Sequence, residues 1–304
     1  MKADYVAVDW GSSQLRAWRI ENGECTARQS TPQGIKFVGN GQHEAVLRTL
    51  LAPWWEWIVA QQAPVLMAGM IGSDSGWLDS GYQALPLEIN AIAEGCIPVP
   101  TSLPIKLWLR PGLALRHKER ANVMRGEEVQ LLGAMACLQV DIYLFPGTHS
   151  KWVKPLRSEA AITIESFSTA MTGELYQLLL QHSLLGKGLP SEGAFDSSAF
   201  SQGVEETLQS NEGLINRLFY ARSRRLLGYM APEAVASWLS GALIGEELAQ
   251  LARHWPTSST LALVGDAPLT GHYLTACQLA GRQATVIDAQ TAMLNGFRRI
   301  YAAL

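Results

Sequence analysis

The chain has no basic excess. Its 304 residues carry 24 Lys and Arg against 27 Asp and Glu, a formal charge of −3. Without a basic footprint, neither nucleic acid nor an anionic membrane is expected as a partner, and a binder of anionic metabolites must gather its few cations locally. No DNA-binding module is legible either, which argues against a sugar-sensing regulator. Long apolar runs are missing: none reaches the ~18 residues a membrane span needs. Met1-Lys2-Ala3-Asp4-Tyr5 leads straight into a strand with no apolar leader core, so a cytoplasmic location is expected. Cysteine is scarce. Cys25, Cys96, Cys137 and Cys277 lack metal-type spacing and lie mostly in apolar stretches, the pattern of reduced, buried thiols.

Apolar side chains are plentiful, 48% of the total, and the length suits two domains of ordinary size. The first opens with Tyr5-Val6-Ala7-Val8-Asp9-Trp10-Gly11-Ser12-Ser13-Gln14-Leu15-Arg16-Ala17-Trp18. A β-branched apolar run ends in a carboxylate, turns at a glycine followed by two hydroxyls, and resumes as an alternating strand. That is a hairpin with a polar tip. Such a tip suits phosphate: Gly11 admits close backbone approach, consecutive N–H groups and the hydroxyls of Ser12 and Ser13 can converge on one anion, and Asp9 can hold Mg²⁺ through water. An ordinary Ser-Ser turn would read the same way.

Residues 16–20 and 25–30 pair around Asn22-Gly23, giving three meandering strands. The spacing predicts one amphipathic helix over 43–58, with Trp54, Trp55 and Trp57 as packing. A buried strand at 64–69 runs into Met70-Ile71-Gly72-Ser73-Asp74-Ser75-Gly76-Trp77, a Gly/Ser loop at a strand end, where ligands gather in open α/β sheets. Farther on, Arg125-Gly126-Glu127-Glu128 begins a helix reaching Ala136. Two acids in a first turn complement the helix dipole. The Arg beside them adds another reading, a site for an anionic, hydroxylated substrate with a carboxylate placed as general base.

A second strand and turn, 140–153, repeats the opening logic through Pro146-Gly147-Thr148-His149-Ser150-Lys151, which implies an internal duplication. Here Gly147 gives backbone access, Thr148 adds a hydroxyl, and His149 or Lys151 can meet a nucleotide phosphate. Thr172-Gly173-Glu174 opens a helix reaching Leu185; 186–211 reads as a turn-rich insert; 212–225 reads as a helix whose Arg222, Arg224 and Arg225 form a solvated end. Pro232-Glu233 caps the next helix. The strand 261–264 then meets Gly265-Asp266, a natural place for a nucleoside, before a helix from Gly271, a strand at 286–288 and a last amphipathic helix over 289–303.

The order of these motifs is similar to that of the actin-like superfamily of sugar kinases. More sharply, Val8-Asp9-Trp10-Gly11-Ser12, Met67-Ala68-Gly69-Met70-Ile71-Gly72-Ser73, Asn122-Val123-Met124-Arg125-Gly126-Glu127-Glu128-Val129-Gln130, Pro146-Gly147-Thr148-His149-Ser150-Lys151-Trp152-Val153 and Met171-Thr172-Gly173-Glu174-Leu175 resemble the 2-dehydro-3-deoxygalactonokinases along essentially the whole chain. The resemblance implies an α/β fold of two ribonuclease-H-like domains, 1–136 and 137–304, with ATP and substrate in the cleft between them. It implies phosphorylation of the 6-hydroxyl of 2-dehydro-3-deoxy-galactonate with ATP and Mg²⁺ in galactonate breakdown. The partners would be a small sugar acid and ATP, with a homodimer as the assembly to test.

Carried over by position, Gly11, Ser12 and Ser13 would form the first phosphate loop and Asp9 the metal-side carboxylate. Gly147, Thr148 and His149, with Lys151, would form the second, and Gly265 and Asp266 would lie near the nucleoside. Many sugar kinases of the superfamily place an Asp at the catalytic helix start, where this chain reads Gly126-Glu127-Glu128; Glu127 is preferred as the base that deprotonates the 6-hydroxyl, with Glu128, one position on, and Asp9 open. Arg125 would meet the substrate carboxylate, and Ser73 and Trp77 would line the sugar pocket. Two other readings use the same loops: a kinase of another sugar or sugar acid, and an ATP-dependent assembly protein.

Overall fold

Strand β1 (Tyr5–Trp10) has nearly every side chain buried, so it runs through the middle of a sheet and not along an edge. The computed structural model, which describes residues 3–190 and 194–304, pairs it antiparallel with β2 (Leu15–Glu21) and parallel with β4 (Val65–Ala68). Outside β2 lies β3 (Glu24–Thr31), and beyond β4 follow Leu107–Leu109 and Ile97–Pro98, in the order β3, β2, β1, β4, 107–109, 97–98. The Asn22-Gly23 turn has positive φ at both residues (52° and 85°), the geometry that hairpin signal requires.

Helices α1 (His43–Leu50) and α2 (Trp55–Gln61) and the residues joining them pack Leu47, Leu51, Trp54 and Ile58 against Val6, Val8, Trp10 and Met67 of this sheet. The single helix expected over 43–58 is broken at Ala52–Trp54 into a 3₁₀ turn. Pro53 supplies the reason, since it has no N–H to donate and its ring clashes with the preceding turn. Trp54 is buried and Trp55 and Trp57 pack on the same core, the packing role expected of them.

Helix α3 (Glu127–Cys137) and the C-terminal helix (Ala289–Ala303) lie together. A methyl group on Gly133 would sit 1.7 Å from the Ala292 carbonyl oxygen, and one on Gly296 would sit 2.0 Å from that of Val129. Only glycine permits this approach. It explains why the last helix groups with the first unit, which comprises Met1–Gln139, Lys154–Phe167 and Ala289–Leu304. The expected division was 1–136 and 137–304.

The second unit, Val140–Val153 and Ser168–Asp288, repeats the pattern. Its sheet runs Phe167–Ala170, β6 (Ser150–Val153), β5 (Ile142–Phe145), β7 (Leu261–Gly265), β8 (Ala284–Asp288). Again the first strand is antiparallel to its hairpin partner and parallel to the strand on its other side. The duplication read from the two Gly turns is present as two sheets of one topology.

Helices α4 (Thr172–His182), α5 (Ser197–Gln209), α6 (Leu214–Leu226), α7 (Val235–Ala252) and α8 (Leu269–Leu279) complete this unit. Helix α5 corrects the turn-rich reading of 186–211, of which residues 191–193 lie outside the described residues. Asp196 caps it by accepting the Ala199 N–H, and Ala199, Phe200 and Val204 bury one face. The arginines at the end of α6 are not a solvated cluster: Arg224 is paired with Glu206 and Arg222 donates to the Leu184 carbonyl at 2.7 Å. Nor are the thiols uniformly buried. All four are free, but Cys25 and Cys137 are exposed, because β3 and the last turn of α3 have solvent faces.

Candidate active site

In the first unit three chain segments converge on Asp9. The carboxylate sits at the end of β1, half-buried, opposite Arg16 on β2 with 3.9 Å between Oδ2 and Nη1. Beside it β4 ends in Gly69 at φ 97°, where a side chain would lie 2.8 Å from the Trp10 carbonyl oxygen and 3.3 Å from Asp9 Oδ1. Gly126 (φ 104°) approaches from the start of α3; its missing Cβ would be 3.6 Å from Gly69 Cα. Both glycines have backbones that L side chains rarely adopt, and together they bring α3 to the carboxylate.

The turn after Asp9 is held by Gly11 N–H donating to the Gln14 carbonyl (2.9 Å). Behind it Gly34 is seated directly against the Ser12–Ser13 peptide, 2.3–2.4 Å from where its Cβ would be. Ile35 and Lys36 donate their N–H groups to the carbonyls of Gly11 and Ser12, which leaves Ser13 exposed at the tip.

The two glutamates at the start of α3 differ sharply. Glu127 is half-buried, and its Oε2 accepts the Arg125 N–H at 3.0 Å. Glu128 is wholly buried, accepts the Gly126 N–H at 2.7 Å, and is pushed up to about 7 by burial, with Arg110 opposing that shift and Glu127 adding to it. Arg110 is buried too, donating to Gln83 and to the Gly95 carbonyl.

Arg125 turns toward the 72–82 loop. Its guanidinium donates to Ser80 Oγ (2.7 Å) and the Gly81 carbonyl (3.1 Å) and lies over the Tyr82 ring at 4.3 Å, while its Nε is buried with no partner among the described residues. In the same loop Ser73 is buried and its Oγ donates to the Met70 carbonyl at 2.7 Å. Trp77 is half-buried and stacks on His43, with 6.5 Å between rings. Arg125, Ser73 and Trp77 thus belong to one folded loop region.

In the second unit, the turn after β5 is gripped by α4. A methyl on Gly173 would fall 2.5 Å from the Gly147 carbonyl oxygen and 2.8 Å from Thr148 Cα. The Glu174 N–H donates to the Thr148 carbonyl (3.0 Å), and His149 Nε2 lies 2.5 Å from Glu174 Oε2. Thr148 and His149 are exposed. Lys151 sits differently: it is buried in β6, where Nζ donates to Thr169 Oγ1 at 3.0 Å. Gly265, at the end of β7, lies beside Pro146, 3.8 Å from Cδ to its missing Cβ, and Asp266 is exposed in the following turn. Next to this turn opens an apolar cavity of about 220 Å³, lined among others by Gly147, Gly173, Tyr176, Phe195, Leu243 and His272.

The sequence model of the 2-keto-3-deoxy-galactonokinase family matches residues 9–300. The chain belongs to this family. It is 37% identical to the 2-dehydro-3-deoxygalactonokinase of Escherichia coli (strain K12), over 100% of this chain and 99% of that one. A crystal structure from Sinorhizobium meliloti, assigned as a 2-dehydro-3-deoxygalactonokinase, superimposes with a TM-score of 0.85 at 33% identity, covering 98% of this chain and 97% of the other. The (R)-2-hydroxyglutaryl-CoA dehydratase component A of Acidaminococcus fermentans shares the fold alone: TM-score 0.52, 11% identity, 98% and 97% covered. The fold is that of the actin-like ATPases and sugar kinases.

The family resemblance implies a divalent cation beside the nucleotide. Among the described residues no three His, Cys, Asp or Glu side chains gather into a cage. A single carboxylate such as Asp9 is nevertheless a fitting donor set for Mg²⁺, which keeps several waters and takes one or two carboxylates with substrate phosphates.

Sequence reasoning missed three features of this galactonokinase-family chain. Arg110 and Glu128, 18 residues apart in sequence, are both buried and within electrostatic reach of each other. The cavity wall draws on α4, α7 and α8, which share no local motif. Glu247 stands beside Glu246 in a largely apolar helix, and only the fold shows that Glu247 is the buried one of the two.

Proposed function

We propose that this protein transfers the γ-phosphoryl group of ATP to the 6-hydroxyl of 2-dehydro-3-deoxy-D-galactonate, in galactonate breakdown in the cytoplasm. The observation that carries the reading is membership of the family across residues 9–300. The geometry supports roles for individual residues.

Glu127 is the proposed base. It lies at a helix start that two glycines bring to Asp9, and unlike Glu128 it is not sealed from a substrate. There it would accept the proton of the 6-hydroxyl and fix the attacking oxygen. Arg125, with Ser73 and Trp77, belongs to the acceptor side, where a guanidinium suits the substrate carboxylate. On the nucleotide side, the N–H groups of Gly11, Ser12 and Ser13 and of Gly147, Thr148 and His149 would meet phosphate oxygens, with Lys151 behind the second loop. The nucleoside would lie in the cavity next to the Gly265-Asp266 turn, where the apolar lining suits a purine face. Asp9 would hold Mg²⁺, which offsets phosphate charge when bound.

The test is coupled ADP release with ATP and Mg²⁺ against 2-dehydro-3-deoxy-galactonate, its gluconate epimer, hexoses and hexonates. Turnover confined to the first acceptor is the expected result. Activity on other acceptors alone would discard the substrate assignment, and ATP loss indifferent to every acceptor would point to an assembly-type ATPase.

A further inference from the structure

Helix α7 carries one carboxylate where packing alone calls for a hydrocarbon. Glu247 is buried among Leu243, Ile244, Leu248 and Leu251 of the same helix, and no cation pairs with it among the described residues. Burying an unpaired carboxylate costs several kcal/mol unless hydrogen bonds replace its water, and an apolar residue of similar size is frequently the more stable choice. Its hydrogen bonds come from groups on three other elements. Trp152 Nε1 donates to Oε1 at 2.6 Å; the Tyr273 hydroxyl donates to Oε2 at 2.6 Å, and so does the Thr172 hydroxyl. Ser150 Oγ lies 2.9 Å from the Tyr273 hydroxyl and extends the chain.

Each of these groups frames the turn at 146–149 and the cavity beside it. Ser150 and Trp152 lie on β6, the strand that leaves the turn. Thr172 opens α4, whose next two residues grip the Gly147 and Thr148 backbone. Thr172 and Tyr273 also line the cavity. We propose that Glu247 is a positioning residue for nucleotide binding: one buried carboxylate ties β6, α4 and α8 together and so holds the second phosphate loop and the cavity floor in their binding geometry. It touches no substrate. Its contribution is preorganisation, since loop N–H groups fixed in advance lose nothing in being ordered when the anion arrives. The inference rests on the nucleotide reading of the cavity given above.

The measurement is ADP binding by calorimetry together with KM for ATP and for the sugar acid. Glu247→Gln keeps the shape but replaces one acceptor oxygen with a donor, which must then face the Trp152 indole N–H or the hydroxyls. It is expected to weaken ADP binding and raise KM for ATP by about tenfold or more, the scale of one lost charge-assisted hydrogen bond, and to leave KM for the sugar acid within about twofold. Thr172→Val should reproduce the effect and Thr172→Ser should not, because only the latter retains the hydroxyl. Trp152→Phe, which removes a Glu247 donor that does not line the cavity, should weaken ADP binding likewise and decides the matter even if Glu247→Gln fails to fold. Ser240→Phe, which obstructs the cavity without touching Glu247, separates the two readings. Unchanged ADP affinity in Ser240→Phe would remove the nucleotide from the cavity and the proposal with it. Weakened affinity there, with wild-type affinity in folded Glu247→Gln and Thr172→Val, would leave the cavity reading standing and overturn the role of Glu247.

Discussion

Glu127 and Glu128 are chemically identical neighbours, and one helical position separates a group that can meet a substrate from one that cannot. Replacing Glu127 by Gln keeps the shape and removes the proposed base. kcat should fall roughly 10²–10⁴-fold with KM for ATP nearly unchanged, read by steady-state kinetics. Wild-type turnover in that variant would move the role to another acid. Glu128 makes a different prediction. Its pKa is raised by burial from 4.5 to about 7, so between those values the folded protein binds the proton more tightly than the unfolded chain. Stability attributable to this group is therefore greatest below pH 4.5, falls as pH rises, and is fully lost above about 7. Thermal melts should show wild type losing stability relative to Glu128→Gln as pH rises through that window, and parallel curves would contradict the burial account.

At the scale of elements, the two Gly turns proposed to bind phosphate are shaped as much by what packs behind them as by their own residues. Gly34 behind the first and Gly173 behind the second have no room for a methyl group, and the obstructing atoms are backbone, which has nowhere to yield. Gly173→Ala should therefore push the 147–148 turn out of place and raise KM for ATP roughly tenfold or more. Gly271→Ala is the comparison: it lies within α8 with nothing within 4 Å of the added methyl, and it should leave KM alone while stabilising by about 0.5–1 kcal/mol. Equal kinetics in the two variants would mean that α4 does not set the loop. Both turns are legible from their Gly-hydroxyl strings and Gly173 from its helix-opening motif, but the constraint on Gly34 and Gly173 comes from elements distant in sequence and is not.

For the whole molecule, the assembly to test is a homodimer, and we propose the exposed apolar side of α6 as its face. Ile215 (85% exposed), Phe219, Arg222 and Leu226 are spaced four, three and four residues apart, with Tyr229 (80% exposed) just beyond. That spacing is symmetric, so an antiparallel pairing about a two-fold axis would set Ile215 against Leu226 of the second copy and Phe219 against its Arg222. Phe219→Glu with Leu226→Glu should convert a dimer into a 33.2 kDa monomer by light scattering. A wild-type protein already monomeric at assay concentration would end the dimer reading.

The sequence by itself determined the local pieces: the strand-turn-strand units with Asp9, Gly11 and Gly147 in them, the acidic start of α3, and the repetition that makes two sheets of one topology. These follow from periodicity and turn chemistry, which act over a few residues. Tertiary structure alone decided which glutamate is sealed away, that Arg125 grips the 72–82 loop, that the last helix packs against α3, and that Glu247 collects donors from three other elements. The physical reason is common to all four. Burial and hydrogen-bond partnership depend on what the rest of the chain brings within a few ångströms, and a local pattern records the side chain but not the company it keeps.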